Sequence, residues 1–191
     1  LIGSEQIQGR ASLGGNICNG SPAGDSVPAL IAAGCLALIA GPNGKREIPI
    51  EEFHIGPGKT VLDNGEMLVS LKFPKREINS SDTYLRMTPR TEMDIAVVGC
   101  GVNITFENNV CTAARVSLGA VAPTPLLIKE ASKIMVGSDL NSEILDKVSK
   151  ICMDLCDPID DKRGTIDYRT KVAGVLFKRA TLTTIDRIKG N

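Results

Sequence analysis

Two long β-prone runs, 95–106 and 110–118, meet at Asn108-Asn109, and this pairing constrains the fold more than any other feature of the sequence. Asparagines tolerate the left-handed backbone of a tight hairpin, so the runs are expected to fold back as antiparallel neighbours. Helices follow. Ile144, Leu145, Val148, Ile151, Cys152 and Leu155 recur with a 3.6-residue period, and Glu143, Asp146, Lys147, Lys150 and Asp154 lie opposite them. A final helix from about Asp167 to Ile188 is expected to turn Val172, Val175, Leu176, Leu182 and Ile185 inward. Strands followed by helices predict an α+β module with an antiparallel sheet.

The first third reads as strand-rich. Asn43-Gly44 separates the apolar run 35–40 from 46–50, another hairpin signal, and Asn64-Gly65 precedes the extended run 67–73. Pro74-Lys75-Arg76-Glu77, with Asn79-Ser80-Ser81-Asp82, is a polar break and the best boundary, giving units 1–77 and 78–191.

Composition removes several function classes. Lys+Arg and Asp+Glu both number 22, so no net field favours nucleic acid or an anionic membrane. The apolar stretch 27–40 is interrupted by Pro28 and Gly34 and is too short to span a bilayer. Cys18, Cys35, Cys100, Cys111, Cys152 and Cys156 form no CxxC pair and have no histidine at ligand spacing; the lone His54 makes no site either. Reduced thiols in a cytoplasmic protein are the expectation. The chain begins at Leu1 rather than Met, which suggests that something upstream was cleaved, lost or encoded elsewhere.

The segment RASLGGNICNGSPAGD at 10–25 holds four glycines and two asparagines in sixteen residues. Successive glycines let a backbone approach a ligand, and consecutive N–H groups in such a turn form an anion-binding concavity. Gly14-Gly15-Asn16 suits a pyrophosphate, and Asp25 suits a ribose hydroxyl. Asp25 or Ser26 would cap a helix over 27–33, with Pro28 tolerated in its first turn. Gly-rich turns also join strands with no ligand, and the pattern is neither GxGxxG nor a Walker sequence.

SLGGNICNGSPAGD at 12–25 resembles the second FAD-binding signature, T/S-x-GGN-x4-SP-x2-D, of the medium flavoprotein subunits of the molybdenum hydroxylases, which include xanthine dehydrogenases, carbon monoxide dehydrogenases and aldehyde oxidoreductases. QGRA at 8–11 is similar to its lead-in, with Gly9 where Asn is often found. GEMLVSLKFP at 65–74, YLRMTPRTEMDIAVVG at 84–99 and DYRTKVAGVLFKRA at 167–180 resemble later segments of that family, in order.

The resemblance implies the second half of a two-subdomain FAD-binding module, strands plus a short helix, followed by a C-terminal domain of antiparallel sheet packed with helices. It places Ser12, Gly14, Gly15, Asn16, Ser21 and Asp25 around the FAD diphosphate and ribose, Leu68 beside the adenine, and Arg86 near the nucleotide where xanthine enzymes carry Lys. An arginine there keeps the cation but changes a point charge into a planar fork. The implied role is electron transfer: from a molybdenum cofactor on a large subunit, through 2Fe–2S clusters on a small subunit, via FAD to NAD or another acceptor. The family's first Gly-rich loop, of the AGGTD type, is not found in this sequence, so another polypeptide is expected to carry it. The alternative is a non-catalytic nucleotide-binding or scaffolding module of the same fold without flavin.

Overall fold

The computed structural model describes residues 2–91 and 93–190; Glu92, inside the 84–99 motif, and the two terminal residues lie outside them. The hairpin at Asn108-Asn109 forms as expected. β7 (Val98–Glu107) and β8 (Val110–Gly119) pair antiparallel, and Asn108 and Asn109 take φ of 51° and 65°. β6 (Ser80–Met87) and the short β9 (Leu126–Leu127) complete a sheet of order β6-β7-β8-β9. Ser80 to Asp82, read as part of the polar break, begin β6, and Ser81 is buried.

The alternation of β7 and β8 decides what each face receives. Cys100, Val102 and Ile104, with Ala114, Val116 and Leu118, enter a large core beneath α4 (Lys129–Met135), α5 (Ser142–Asp154) and α6 (Ile166–Lys189). The opposite face carries Gly99, Gly101, Ser117 and Gly119. Against it packs α3 (Val27–Ala32), so closely that a Cβ on Gly101 would sit 2.5 Å from the Pro28 carbonyl oxygen. Glycine in a strand interior marks such a backbone approach.

α6 differs from its sequence reading. Leu176 is buried and Val172 and Ile185 pack on the core as expected, but Val175 and Leu182 are 45% and 51% exposed, and Arg169, Ala173, Gly174, Phe177, Ala180, Thr181 and Thr184 complete the buried stripe. Small residues won that face because α5 comes close: a Cβ on Gly174 would meet Ser149 Oγ at 2.6 Å. Leu155, expected inward, caps the end of α5 and is exposed.

The N-terminal part has a second, smaller core of Ile17, Val27, Leu30, Ile31, Cys35, Ala37, Ile39, Ile50 and Phe53. β1 (Leu36–Gly41) turns at Pro42-Asn43 into β2 (Gly44–Pro49), and β5 (Met67–Lys72) lies on the other side of β1. A small hairpin, β3 (His54–Gly56) and β4 (Lys59–Thr60), stands apart from that sheet. Ahead of it lie a single turn, α1 (Glu5–Gln8), and α2 (Leu13–Cys18). All paired strands run antiparallel, as an α+β fold requires. The described residues include no helix long and apolar enough to cross a membrane.

Candidate functional site

The Gly-rich segment is more ordered than its composition suggests. Leu13 to Cys18 form α2, with Ser12 as N-cap in extended conformation, its Oγ accepting from the Gly15 N–H at 3.0 Å. A hydroxyl acceptor at this position satisfies one of the donors that a helix start leaves unpaired. Gly14 and Gly15 therefore sit in a helical first turn rather than in a positive-φ loop, and neither has the backbone strain that demands glycine. Each costs the helix about 1 kcal/mol relative to alanine. The chain's own packing asks little of Gly14: a Cβ there would find only Leu68 Cδ2, at 3.9 Å. The missing side chains keep the outer surface of the turn open, above an exposed groove of about 280 Å³ lined by Arg10, Ala11, Ser12, Gly15, Asn16 and Asn19.

The remaining signature residues tie this turn to α3. Asn16 Oδ1 accepts from both Ser26 N–H (3.0 Å) and Ser26 Oγ (2.7 Å), so the Asn16 side chain reaches across to the start of α3. Ser26 is the α3 N-cap, with no capping bond from its own side chain, and Pro28 lies in the first turn. Ser21 Oγ accepts from Ala23 N–H at 3.2 Å and shapes the intervening turn.

Asp25 and Arg86, 61 residues apart, form one ion pair: Arg86 Nη1 donates to Asp25 Oδ1 at 2.5 Å, with the two side chains only 11% and 14% exposed. Tyr84 stands on the same face of β6, two residues before Arg86. Burial, and then the Asp25 carboxylate beside it, lift the Tyr84 hydroxyl above the usual phenol range. The strand's alternation was the available signal for Tyr84, which the motif contained but which received no role. Leu68 lies on β5 and packs on the smaller core, directly under Gly14.

Two further features frame the segment. A cleft of about 340 Å³ between the two cores is walled by Ser21-Pro22-Ala23 on one side and by Ile95, Pro123 and Ile159 on others, so it shares the signature's turn. His54, which the sequence gave no role, is 7% exposed and bonds the Ile17 carbonyl at 2.7 Å. The cysteines are all free, and burial pushes the thiols of Cys111 and Cys156 up to about 11 and that of Cys152 up to about 12. Such thiols are poor nucleophiles at neutral pH. The described residues hold no group of three or more His, Cys, Asp or Glu side chains arranged for a metal ion.

The chain is similar to known proteins. Residues 1–76 match the family described as the FAD binding domain in molybdopterin dehydrogenase, and residues 83–184 match the CO dehydrogenase flavoprotein C-terminal domain. The carbon monoxide dehydrogenase medium chain of Afipia carboxidovorans is 34% identical over 181 residues, covering 94% of this chain and 62% of that one. A putative xanthine dehydrogenase FAD-binding subunit of Escherichia coli is 30% identical over 179 residues, covering 93% of this chain and 61% of its own length. Among solved structures, reconstituted CO dehydrogenase from Oligotropha carboxidovorans superposes with a TM-score of 0.94 at 31% identity, covering 98% of this chain and 65% of that one. The chain thus spans somewhat under two thirds of the length of the relatives it matches.

Proposed function

Because the chain belongs to the CO dehydrogenase flavoprotein family, with the FAD-binding domain of molybdopterin dehydrogenases ahead of its C-terminal domain, we propose that it holds FAD for electron transfer inside a larger oxidoreductase. The observation that carries this reading is Gly14 at the start of a capped turn: a helix-weakening residue that the chain's own packing does not require, since a Cβ there would meet only Leu68 Cδ2 at 3.9 Å, whereas one on Gly15 would press on the capping Ser12 Oγ at 3.1 Å. A diphosphate approaching the Leu13 and Gly14 N–H groups would use the space that side chains there would fill. Ser12 and Asn16 hold the turn in place, Ser21 shapes the following turn, and Leu68 offers an apolar surface under Gly14. Asp25 keeps one carboxylate oxygen for a ribose hydroxyl while Arg86 orients the other.

FAD supplies the redox chemistry when bound, and the protein supplies binding, orientation and electrostatics. The groove above Ser12 and Asn16 is open on its outer side. A ligand the size of FAD normally lies in a cleft that buries most of it, so a second polypeptide segment carrying a first Gly-rich loop forms the other wall. In such an assembly 2Fe–2S clusters on a small subunit and a molybdenum cofactor on a large one would supply the electrons, and NAD or another acceptor would take them. Six free thiols suit a reducing compartment such as the cytoplasm.

The test is flavin content. The purified assembly should show an oxidised-flavin absorption spectrum. Asp25→Ala, which removes a charge-assisted hydrogen bond of about 1.5–3 kcal/mol, should weaken FAD binding about 10- to 150-fold. Unchanged FAD affinity in that variant would remove Asp25 from the site, and an assembly without flavin would overturn the reading.

A further inference from the structure

We propose that His54 is a positioning residue for the FAD-binding turn: through the Ile17 carbonyl it locks α2, and with it Ser12, Gly14 and Gly15, onto the β3–β4 hairpin. The inference rests on the FAD reading above.

The hydrogen-bond roles follow from the chemistry of the partners. A carbonyl can only accept, so His54 Nε2 carries the proton and donates to Ile17 O at 2.7 Å. Nδ1 is then an acceptor, and it is buried without a partner. Such an unsatisfied nitrogen costs free energy that an apolar side chain of similar size would avoid. The imidazole is buried, with the Phe53 ring edge-on at 5.7 Å. What it provides there is the one bond to α2.

That bond has a backbone companion. Gly58, in the hairpin loop, donates its N–H to Gly20 O at 2.9 Å. Gly20 has φ of +67°, and a Cβ there would lie 2.9 Å from the Gly58 carbonyl carbon and the Lys59 nitrogen. Helix end and hairpin therefore touch backbone to backbone. The clamp grips the C-terminal end of α2, while the ligand would meet its N-terminal end. A helix of six residues is only about 9 Å long and behaves as one rigid piece. Any tilt allowed at Ile17 therefore reappears at Gly14. The Asn16 bond to Ser26 holds α2 toward α3, and the His54 bond holds it from the other side.

The experiment uses the intact assembly and compares three substitutions of His54. In His54→Gln, the terminal amide nitrogen falls near the place of Nε2 and can donate to Ile17 O. The Asn side chain is one bond too short, and Leu has no donor. FAD dissociation constants are measured by fluorescence titration, alongside the melting temperature of each apo assembly. We expect His54→Asn and His54→Leu to bind FAD about five- to tenfold more weakly. His54→Gln should stay within about twofold of the parent, although it loses the aromatic contact to Phe53 as fully as the others do. A purely structural histidine would instead give FAD affinities that follow melting temperature, or Gln and Asn variants that bind alike, and either result overturns the proposal. If His54→Leu fails to fold, the Gln and Asn pair still decides it. A flavin-bearing assembly indifferent to all three substitutions sinks this inference alone, whereas a parent assembly without flavin sinks the cofactor reading and this one with it.

Discussion

The C-terminal sheet buries one face under α4, α5 and α6 and gives the other to α3, whereas the N-terminal sheet of β2, β1 and β5 leaves Met67 and Val69 at 64% and 50% exposure. The strongest functional signature therefore sits on the thinner of the two cores. What holds it is borrowed from the thicker one. Arg115 on β8 donates to Ile31 O at the end of α3 and pairs with Glu51, Ser117 Oγ donates to Pro28 O, and the Ala120 N–H donates to Pro22 O. The lesson is that the C-terminal part serves as the platform on which the nucleotide signature is held in shape.

The comparison can be broken first at the platform itself. Phe177 is fully buried in the larger core, and Phe177→Ala should cost about 3–5 kcal/mol, read as a lower urea midpoint for the chain. A loss below about 1 kcal/mol would mean that the C-terminal core is not the stable part.

A subtler break targets the seam. Gly101→Ala places a methyl 2.5 Å from the Pro28 carbonyl oxygen, which is backbone and cannot swing aside, so α3 must lift from the sheet. Overpacking of this kind costs about 1–3 kcal/mol. Because Asp25 and Asn16 are tied to the start of α3, the same substitution should also lower FAD affinity, although Gly101 belongs to no signature. Full FAD affinity alongside a clear stability loss would show that the two parts are mechanically independent.

The smallest effect lies on the thin sheet. Arg46 Nε and Nη2 donate to Glu66 Oε1 and Oε2 at 2.9 and 2.7 Å, and this bidentate bond, aided by the Asp63 N–H, holds the Glu66 carboxyl down at about 2 from an ordinary 4.5. A carboxyl depressed in the folded state stabilises above its unfolded value and loses that contribution as pH falls through the folded one. Melting temperature should therefore drop between about pH 4.5 and 2, and Glu66→Gln should flatten that part of the profile while starting lower at pH 7. Identical slopes for parent and variant would assign the acid loss to other carboxylates.

How far the sequence could be read followed the range of the interactions involved. Local chemistry was legible: the Asn108-Asn109 and Asn43-Gly44 hairpins and the helix over α5 depend on residues a few positions apart. The buried face of α6 was misjudged at two of five positions because hydropathy ranks Val175 and Leu182 above Ala173 and Gly174, while close helix packing selects small residues. The glycine pair was expected in a loop, yet one hydroxyl, that of Ser12, was enough to start a helix there. The pairing of Asp25 with Arg86 and the reach of His54 to Ile17 join residues 61 and 37 positions apart, and neither has a local pattern to betray it. Gly99 and Gly101 did leave one: two glycines at alternate positions of a strand, the mark of a helix lying directly on the sheet.

The central claim, that this chain cradles a flavin dinucleotide on the Ser12-capped turn, is tested most directly by a cryo-electron microscopy map of the intact native assembly in which the cofactor is visible. The account predicts FAD with its diphosphate within hydrogen-bond reach of the Leu13 and Gly14 N–H groups and a ribose hydroxyl on Asp25. FAD at full occupancy that touches none of the residues from Ser12 to Asp25 would contradict it.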